Sequence, residues 1–392
     1  MNEFWKRRLR KINPLTWAYI EKPNLPTVLL VGSARSGTTW IEEVIHSTSS
    51  YRMMFEPFHP DKVDEFRNFL PYQYIRPTDR RPGFVEPVSK GVHGNIRSFW
   101  VDQFNGRLLF KKRLIKDVRS LLYLEWLHKM YPAIPMIYLI RHPFSVAMSR
   151  TRLGFPAELN CFLQQDQLME DFLQPYSDLL HSKWTQFESH VISWCVENMI
   201  PLSRIPVGEY CPVFYEHVVQ DPSTQFQRIF TALGTSCTPA QSIIEKPSRL
   251  SSPSTNKSTN DRVNRKWFDY ITASEIDNGL SIIETFGMQQ LYNLNSEPVL
   301  TAEFISNLNY ECTLITSPKN NISHIQPARN TGTEEIKKGH SGYSTAKLHF
   351  LSIMLSIFGV AWANFIAQTT QFGLAFSELI SMDVSVAFSS VI

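Results

Sequence analysis

A chain of 392 residues with 43% hydrophobic and 19% charged residues can bury a sizeable core, and its composition excludes a disordered chain. A net charge of +3 is too small to argue for nucleic acid, so any anionic ligand must be met by local sites. The five cysteines (Cys161, Cys195, Cys211, Cys237 and Cys312) show no CxxC spacing and no histidine partner at metal spacing, which argues against a zinc site and for ordinary thiols in a reducing, cytoplasmic compartment.

Residues 1–26 form a basic N-terminal segment with no long apolar run behind it, so neither a signal peptide nor an N-terminal anchor is expected. It reads as a solvated charged helix or one lying on a membrane surface. From Thr27 short apolar runs alternate with helix-like segments: "TVLLVGS", "GTTWIEEVIHS", "YRMMF", "GRLLFKK", "PMIYLI". Such runs predict buried parallel strands and a three-layer α/β domain over 27–292, with helices on both faces of the sheet. Pro143 suits a helix first turn, a helical stretch is expected between about Asp178 and Arg204, and "CPVFYE" reads as a strand. "DPSTQFQRIFTALG" reads as a helix closing at Gly234, and Thr272 with Glu275 forms a capping box. Residues 248–266 make a Ser/Thr/Asn-rich basic loop, either a surface connection or a lid over an anion. A polar linker (293–347) and a hydrophobic tail (348–392) follow. Phe350 to Ser377 carries no charge and is long enough to span a bilayer, although Ser352, Ser356, Asn364 and "QTTQ" equally suit an amphipathic or protein-buried helix. Lys337, Lys338 and Lys347 would keep the upstream side cytoplasmic.

The stretch "GSARSGTTW" joins the first strand to the first helix. Gly32 and Gly37 let the backbone fold around an oxyanion, which meets main-chain N–H groups and the helix start. A Walker lysine is missing: Thr38 and Thr39 follow Gly37, while Arg35 offers a permanent forked charge. Further on, "IYLIRHPFSVAMS" puts Arg141 at a strand end and Ser149 on the next helix, where both can converge on one anion. Together the two motifs indicate a ligand with anionic groups at two separated positions.

These motifs resemble those of the sulfotransferases that use 3′-phosphoadenosine 5′-phosphosulfate. The resemblance extends to "FEPFHP", "IKDVRSLLYLEWL" and "YEHVVQDPSTQFQRIFTALG" and spans about Thr27 to Tyr292. It implies that Arg35, Ser36, Gly37, Thr38, Thr39 and Trp40 form the 5′-phosphosulfate loop, and that Arg141 and Ser149 bind the 3′-phosphate. Arg262, Arg265 and Lys266 precede Trp267 without the glycine of the soluble enzymes' Arg-Lys-Gly triplet, so which of them meets the 3′-phosphate stays open. Arg35 in place of lysine, followed by the Glu-Pro segment, is more similar to carbohydrate and bacterial members than to the phenol and steroid enzymes. The implied acceptor is then a glycan or another small-molecule hydroxyl, with the nucleotide as co-substrate and no metal.

Such transfer needs charge stabilisation and one general base. Glu56 is preferred, because a carboxylate at the sheet's carboxyl edge and partly desolvated is expected to have a raised pKa. His59 and His93 are alternatives. Lys116 is placed to reach the sulfuryl group or to remain a surface lysine, while Tyr215 and Glu216 brace the site. A P-loop kinase-like phosphotransferase and a non-catalytic, membrane-tethered nucleotide binder are the competing readings. Oligomeric state is not readable from the sequence.

Overall fold

The computed structural model describes residues 20–21, 25–48, 51–105, 109–157, 159–206, 208–245, 266–292, 294 and 298. Arg262, Arg265, the Lys266 side chain, the polar linker from 299 onward and the apolar segment 350–377 lie outside the described residues, as does nearly all of the basic N-terminal segment.

Five strands, β1 (Thr27–Gly32), β2 (Tyr51–Phe55), β3 (Lys112–Asp117), β4 (Met136–Ile140) and β5 (Cys211–Phe214), form one sheet. They pair in the order β2-β3-β1-β4-β5, all parallel. The expected strand at "GRLLFKK" is displaced. Leu109–Phe110 instead make a short parallel pair with Ile20–Glu21, and the sheet strand begins at Lys112. Its charged residues obscured it: Arg113 is buried because its guanidinium donates to the Leu25 carbonyl and Thr27 Oγ1, each at 2.9 Å.

Among the described residues, the α-helices of six or more residues are α1 (Thr38–Thr48), α2 (Pro82–Val92), α3 (Leu124–Met130), α4 (Pro143–Arg152), α5 (Gln186–Arg204), α6 (Tyr215–Gln220), α7 (Pro222–Ala232) and α8 (Ala273–Thr285). Strand residues alternate between two cores. Val28, Leu30, Ile137 and Leu139 pack with Trp40 and Ile41 of α1 and Phe226 of α7. Leu29, Val31, Tyr138 and Ile140 pack with Val88 of α2, Phe144 of α4 and Ile282 of α8. Both faces are therefore covered, which is why the strands read as unbroken apolar runs. The caps follow the sequence: Pro143 opens α4, Asp221 accepts from the Thr224 N–H at 3.1 Å, Gly234 has φ +63°, and Thr272 with Glu275 forms the capping box. The helical stretch expected from Asp178 is interrupted, because a second box, Thr185 with Glu188, starts α5 afresh.

Because all five strands run the same way, their carboxyl ends share one edge. The chain proceeds to one side of β1 first and to the other afterwards, so the order reverses at β1, where open sheets of this kind leave a crevice. Two contacts shape that crevice. A Cβ on Gly32 would lie 2.4 Å from the Leu139 carbonyl oxygen and 2.9 Å from Ser36 Oγ, so only glycine lets the loop leave β1 this close to β4. Below the loop, the Arg150 guanidinium donates to both Glu197 carboxylate oxygens at 2.8 Å, with both side chains 1% exposed.

Gly32→Ala is expected to lower the unfolding free energy by about 1–3 kcal/mol, read as a lower urea midpoint at constant slope. Gly83→Ala, where an added Cβ meets nothing within 4 Å on α2, is the control and should not destabilise. Equal shifts in the two variants would refute the close-approach argument. Glu197→Ala should cost about 3–5 kcal/mol by leaving Arg150 charged and buried, and Arg150→Met in the same chain should recover much of that loss.

Candidate functional site

The loop Ser33–Gly37 turns through two left-handed residues, Arg35 at φ +76° and Gly37 at φ +101°. The Ser36 N–H donates to the Ser33 carbonyl and the Trp40 N–H to the Gly37 carbonyl, each at 3.0 Å. Such a backbone gathers N–H groups into a concavity that suits an anion at the α1 start. Gly37 is required twice over, by its φ and because a Cβ would lie 2.6 Å from the Tyr215 ring.

Arg35, Arg141 and Ser149 are brought together as expected. Arg35 Nε donates to Ser149 Oγ at 3.0 Å, and an Arg141 terminal nitrogen donates to the Arg35 carbonyl at 3.2 Å. Arg141 lies over the Tyr215 ring, 4.2 Å from its centre. Arg150 donates from Nε to the Ala34 carbonyl at 3.1 Å. Burial lowers the Arg35 pKa, and the neighbouring Arg141 and Arg150 lower it further. Glu197 matches the charge of Arg150, whereas Arg35 and Arg141 form no ion pair among the described residues. Ser36 Oγ and Arg141 Nε are buried without a hydrogen-bond partner. Two cations and two orphaned donors around one concavity fit a polyanionic ligand. Thr38 and Thr39 are buried at the loop's end. Trp40 acts otherwise: its indole N–H is spent on the Ile244 carbonyl at 3.1 Å, and its ring meets Tyr215 and Phe226 edge-on.

The loop at the end of β4 is fixed from beneath. Glu216 accepts the His142 N–H at 3.0 Å and the Tyr292 hydroxyl at 2.9 Å, and burial raises its pKa. The Trp194 indole donates to the Arg141 carbonyl at 3.0 Å, and His142 stacks on Trp267 at 5.3 Å. Asn198 links Ser33 Oγ, at 3.1 Å, to the Tyr138 hydroxyl, at 2.8 Å. Glu197 and Asn198 were not anticipated. Their signal was available as two polar residues inside the apolar run "SWCVENMI", a placement that requires specific partners.

Glu56 stands at the same edge, directly after β2, in a left-handed conformation at φ +43°. Its N–H donates to the Lys116 carbonyl at 2.7 Å, and its Oε1 accepts from Lys116 Nζ at 2.6 Å. Lys116 is buried, not a surface residue, and its ammonium also lies 4.6 Å from the Phe55 ring centre. The raised pKa expected for Glu56 is reversed. Burial alone would raise it, but the charge and hydrogen bond of Lys116, then Arg119, outweigh burial and bring it below the ordinary carboxylate value. His59 is neutral, with a pKa lowered to about 4, chiefly by burial and then by Arg119. Its Nδ1 accepts the Asp61 N–H at 3.2 Å, so the neutral ring carries its proton on Nε2 and is poorly placed to accept another. His93 does not join the group. It caps the end of α2, bonds the Ser89 carbonyl at 2.8 Å and is exposed, while the preceding Val92 carbonyl accepts from Thr27, at the amino end of β1. That is the opposite edge of the sheet.

A model described as the sulfotransferase family matches residues 26–239, more than half of the chain. A search of curated proteins returns no match. Among solved structures, the sulfotransferase domain of the Synechococcus PCC 7002 olefin synthase aligns at 20% identity and a TM-score of 0.39, covering 71% of this chain and 99% of that one. A sulfotransferase from Alicyclobacillus acidocaldarius aligns at 13% identity and 0.33, covering 66% and 96%. Mouse sulfotransferase SULT7A1 complexed with PAP aligns at 15% identity and 0.34, covering 71% and 88%. The matched stretch begins one residue before β1 and runs past α7, taking in the loop with Arg35, the Glu56–Lys116 pair and Arg141: this chain belongs to the sulfotransferase family.

Proposed function

We propose that the chain moves the sulfuryl group of 3′-phosphoadenosine 5′-phosphosulfate to an acceptor hydroxyl, with a carbohydrate as the acceptor class. The observation that carries the donor is the convergence of Arg35, Arg141 and Ser149 around a loop whose Ser36 Oγ and the neighbouring Arg141 Nε are buried donors without partners. The carbohydrate preference draws on Arg35 in place of lysine and on the half-buried Trp100, whose indole donates to the Glu56 carbonyl at 3.3 Å and so sets an aromatic ring beside the base. Phosphoryl transfer has no observation in its favour, since Thr38 stands where a Walker lysine would.

When bound, the nucleotide supplies the sulfuryl group and the leaving phosphate. Ser36, Gly37, Thr38 and Thr39 are the loop donors that would hold its 5′ end, and Arg141 with Ser149 would hold the other anionic group. Arg35, tied to Ser149, is the fixed cation nearest the loop crown and remains charged throughout. Glu56 takes the proton of the acceptor hydroxyl. Lys116 keeps Glu56 ionised and orients Oε1, while His59 and Trp100 wall the position. Membrane association through 350–377 and a cytoplasmic location belong to the same reading and rest on the composition of that segment.

Arg141→Ala should weaken binding of adenosine 3′,5′-bisphosphate by roughly 1.5–3 kcal/mol, the usual contribution of a charge-assisted contact, measured by calorimetry. Unchanged affinity would remove the donor assignment. Glu56→Gln should lower kcat by roughly 10²–10⁴ at nearly constant nucleotide affinity, while His59→Asn and His93→Asn cost much less. The lowered Glu56 pKa also sets a sign for the pH profile. The base stays ionised on acidification, so the acid limb of kcat/KM should lie below the ordinary carboxylate value of about 4.3, and a limb above that value would show that Glu56 is not the titrating base. A sulfur-labelled donor tested against sugars, lipids and phenols assigns the acceptor. A chain ending at Tyr310 should retain transfer and leave the membrane fraction; loss of transfer on truncation would place the tail within the catalytic unit.

A further inference from the structure

Arg119 is the cation of the carboxyl edge that the reading above leaves without a task. It lies two residues beyond β3, in a turn fixed by Asp117, whose Oδ1 accepts the N–H groups of Arg119 at 2.7 Å and Ser120 at 2.9 Å. Three residues earlier, the Lys116 carbonyl anchors the Glu56 backbone and the Lys116 ammonium pairs with the Glu56 carboxylate. The turn that carries Arg119 is thus fastened to the residue that takes the acceptor proton.

The side chain of Arg119 is half-buried, its Nε is buried with no hydrogen-bond partner, and it forms no ion pair among the described residues. A guanidinium in that condition lacks an acceptor that the protein itself does not supply. Glu56 is not that acceptor, because Lys116 already matches its charge at 2.6 Å. Arg119 acts on the Glu56 side of the edge. Its charge acts on Glu56 and His59, after burial and, for Glu56, Lys116, whereas the charges acting on Arg35 after burial are those of Arg141 and Arg150. On the same side, exposed Lys62 sits 5.9 Å over the Trp100 ring, and the indole of Trp100 bonds the Glu56 carbonyl. The same segment also carries the exposed carboxylates Asp61 and Asp64.

Resting on the sulfuryl-transfer reading, we infer that Arg119, with Lys62 across Trp100, forms an acceptor subsite for an oxyanion: the acceptor is a sugar carrying a carboxylate or sulfate near the hydroxyl that Glu56 deprotonates. Arg119 offers a forked donor pair suited to either group. Trp100 supplies the face for the sugar ring, and the anion's charge keeps the hydroxyl in one orientation toward Glu56.

The full chain, saturated with adenosine 3′,5′-bisphosphate so that the donor site is filled, is titrated by ligand-observed NMR with methyl glucuronide, glucose 6-sulfate and methyl glucoside. Tighter binding of one or both anionic sugars, by roughly tenfold or more over the neutral one, is expected, and which of the two binds better separates carboxylate from sulfate. Arg119→Gln should erase that preference while nucleotide affinity stays unchanged, and Arg119→Lys should keep part of it because the charge remains. Equal or absent binding of the three sugars by the wild-type chain would overturn the subsite. So would an Arg119→Gln variant that loses nucleotide affinity, which would move Arg119 to the donor side. A wild-type chain that binds no adenosine 3′,5′-bisphosphate would overturn the sulfuryl-transfer reading, and this inference with it.

Discussion

The site depends on holding like charges together at the end of a close-packed strand. Arg35, Arg141 and Arg150 converge on the loop after β1, and among the described residues only Arg150 has a carboxylate partner. A pair of unit charges about 4 Å apart near a protein surface interacts by roughly 4 kcal/mol, so an unscreened cluster of this kind would push the loop open. The buried Arg150–Glu197 pair prevents that. It neutralises the deepest cation, whose Nε also donates to the Ala34 carbonyl and pins the loop from below. Ser149, Glu216 and the Trp194 indole then fix Arg35 and the β4 exit by uncharged or backbone contacts that leave both guanidinium charges available. An anion bound between Arg35 and Arg141 would relieve their repulsion and so tie ligand binding to loop stability.

The other half of the edge uses the opposite arrangement. Glu56 is buried enough that desolvation favours its neutral form, yet Lys116 at 2.6 Å keeps it a carboxylate. A carboxylate held this way is less basic than an isolated buried one but stays ionised through the ordinary carboxylate range, and its position is fixed through backbone and side chain at once. By linkage, a carboxylate whose folded pKa lies below its unfolded value adds stability above the ordinary carboxylate range and loses it as pH falls through the lowered value. The contact that keeps Glu56 ionised is therefore also one that holds β2 and β3 in register at their carboxyl ends.

What the sequence disclosed follows from how local each signal is. The glycine loop, Arg141 with Ser149, Pro143 and the Thr272 capping box are set by neighbours within a few residues, and all stand where the pattern puts them. The β3 strand was hidden because its buried cations look like surface residues until the carbonyl of Leu25 and the carboxylate of Glu56 are seen beside them. The direction of the Glu56 shift was missed for the same reason: its strongest partner is 60 positions away. The preference for Glu56 over His93 rested on a strand end legible in the sequence, whereas the place of His93 beside the amino end of β1, at the opposite edge, is set by the topology.

Backbone strain marks the same two places independently. Among the described residues, Arg35 and Glu56 alone are non-glycine residues with positive φ, and each follows the end of a strand at the carboxyl edge, one after β1 and one after β2. A left-handed conformation costs a residue with a Cβ of order 1–3 kcal/mol, and nothing in the turns themselves compensates by adding core. The compensation comes from contacts that only these conformations allow: Arg35 reaches Ser149 and presents its carbonyl to Arg141, and Glu56 meets Lys116 with both its N–H and its carboxylate. Glycine at either position would relax the strain but remove the side chain that the strain is there to aim. The two strained residues are separated by β3 in one sheet, and the turn that carries Arg119 leaves β3 between them.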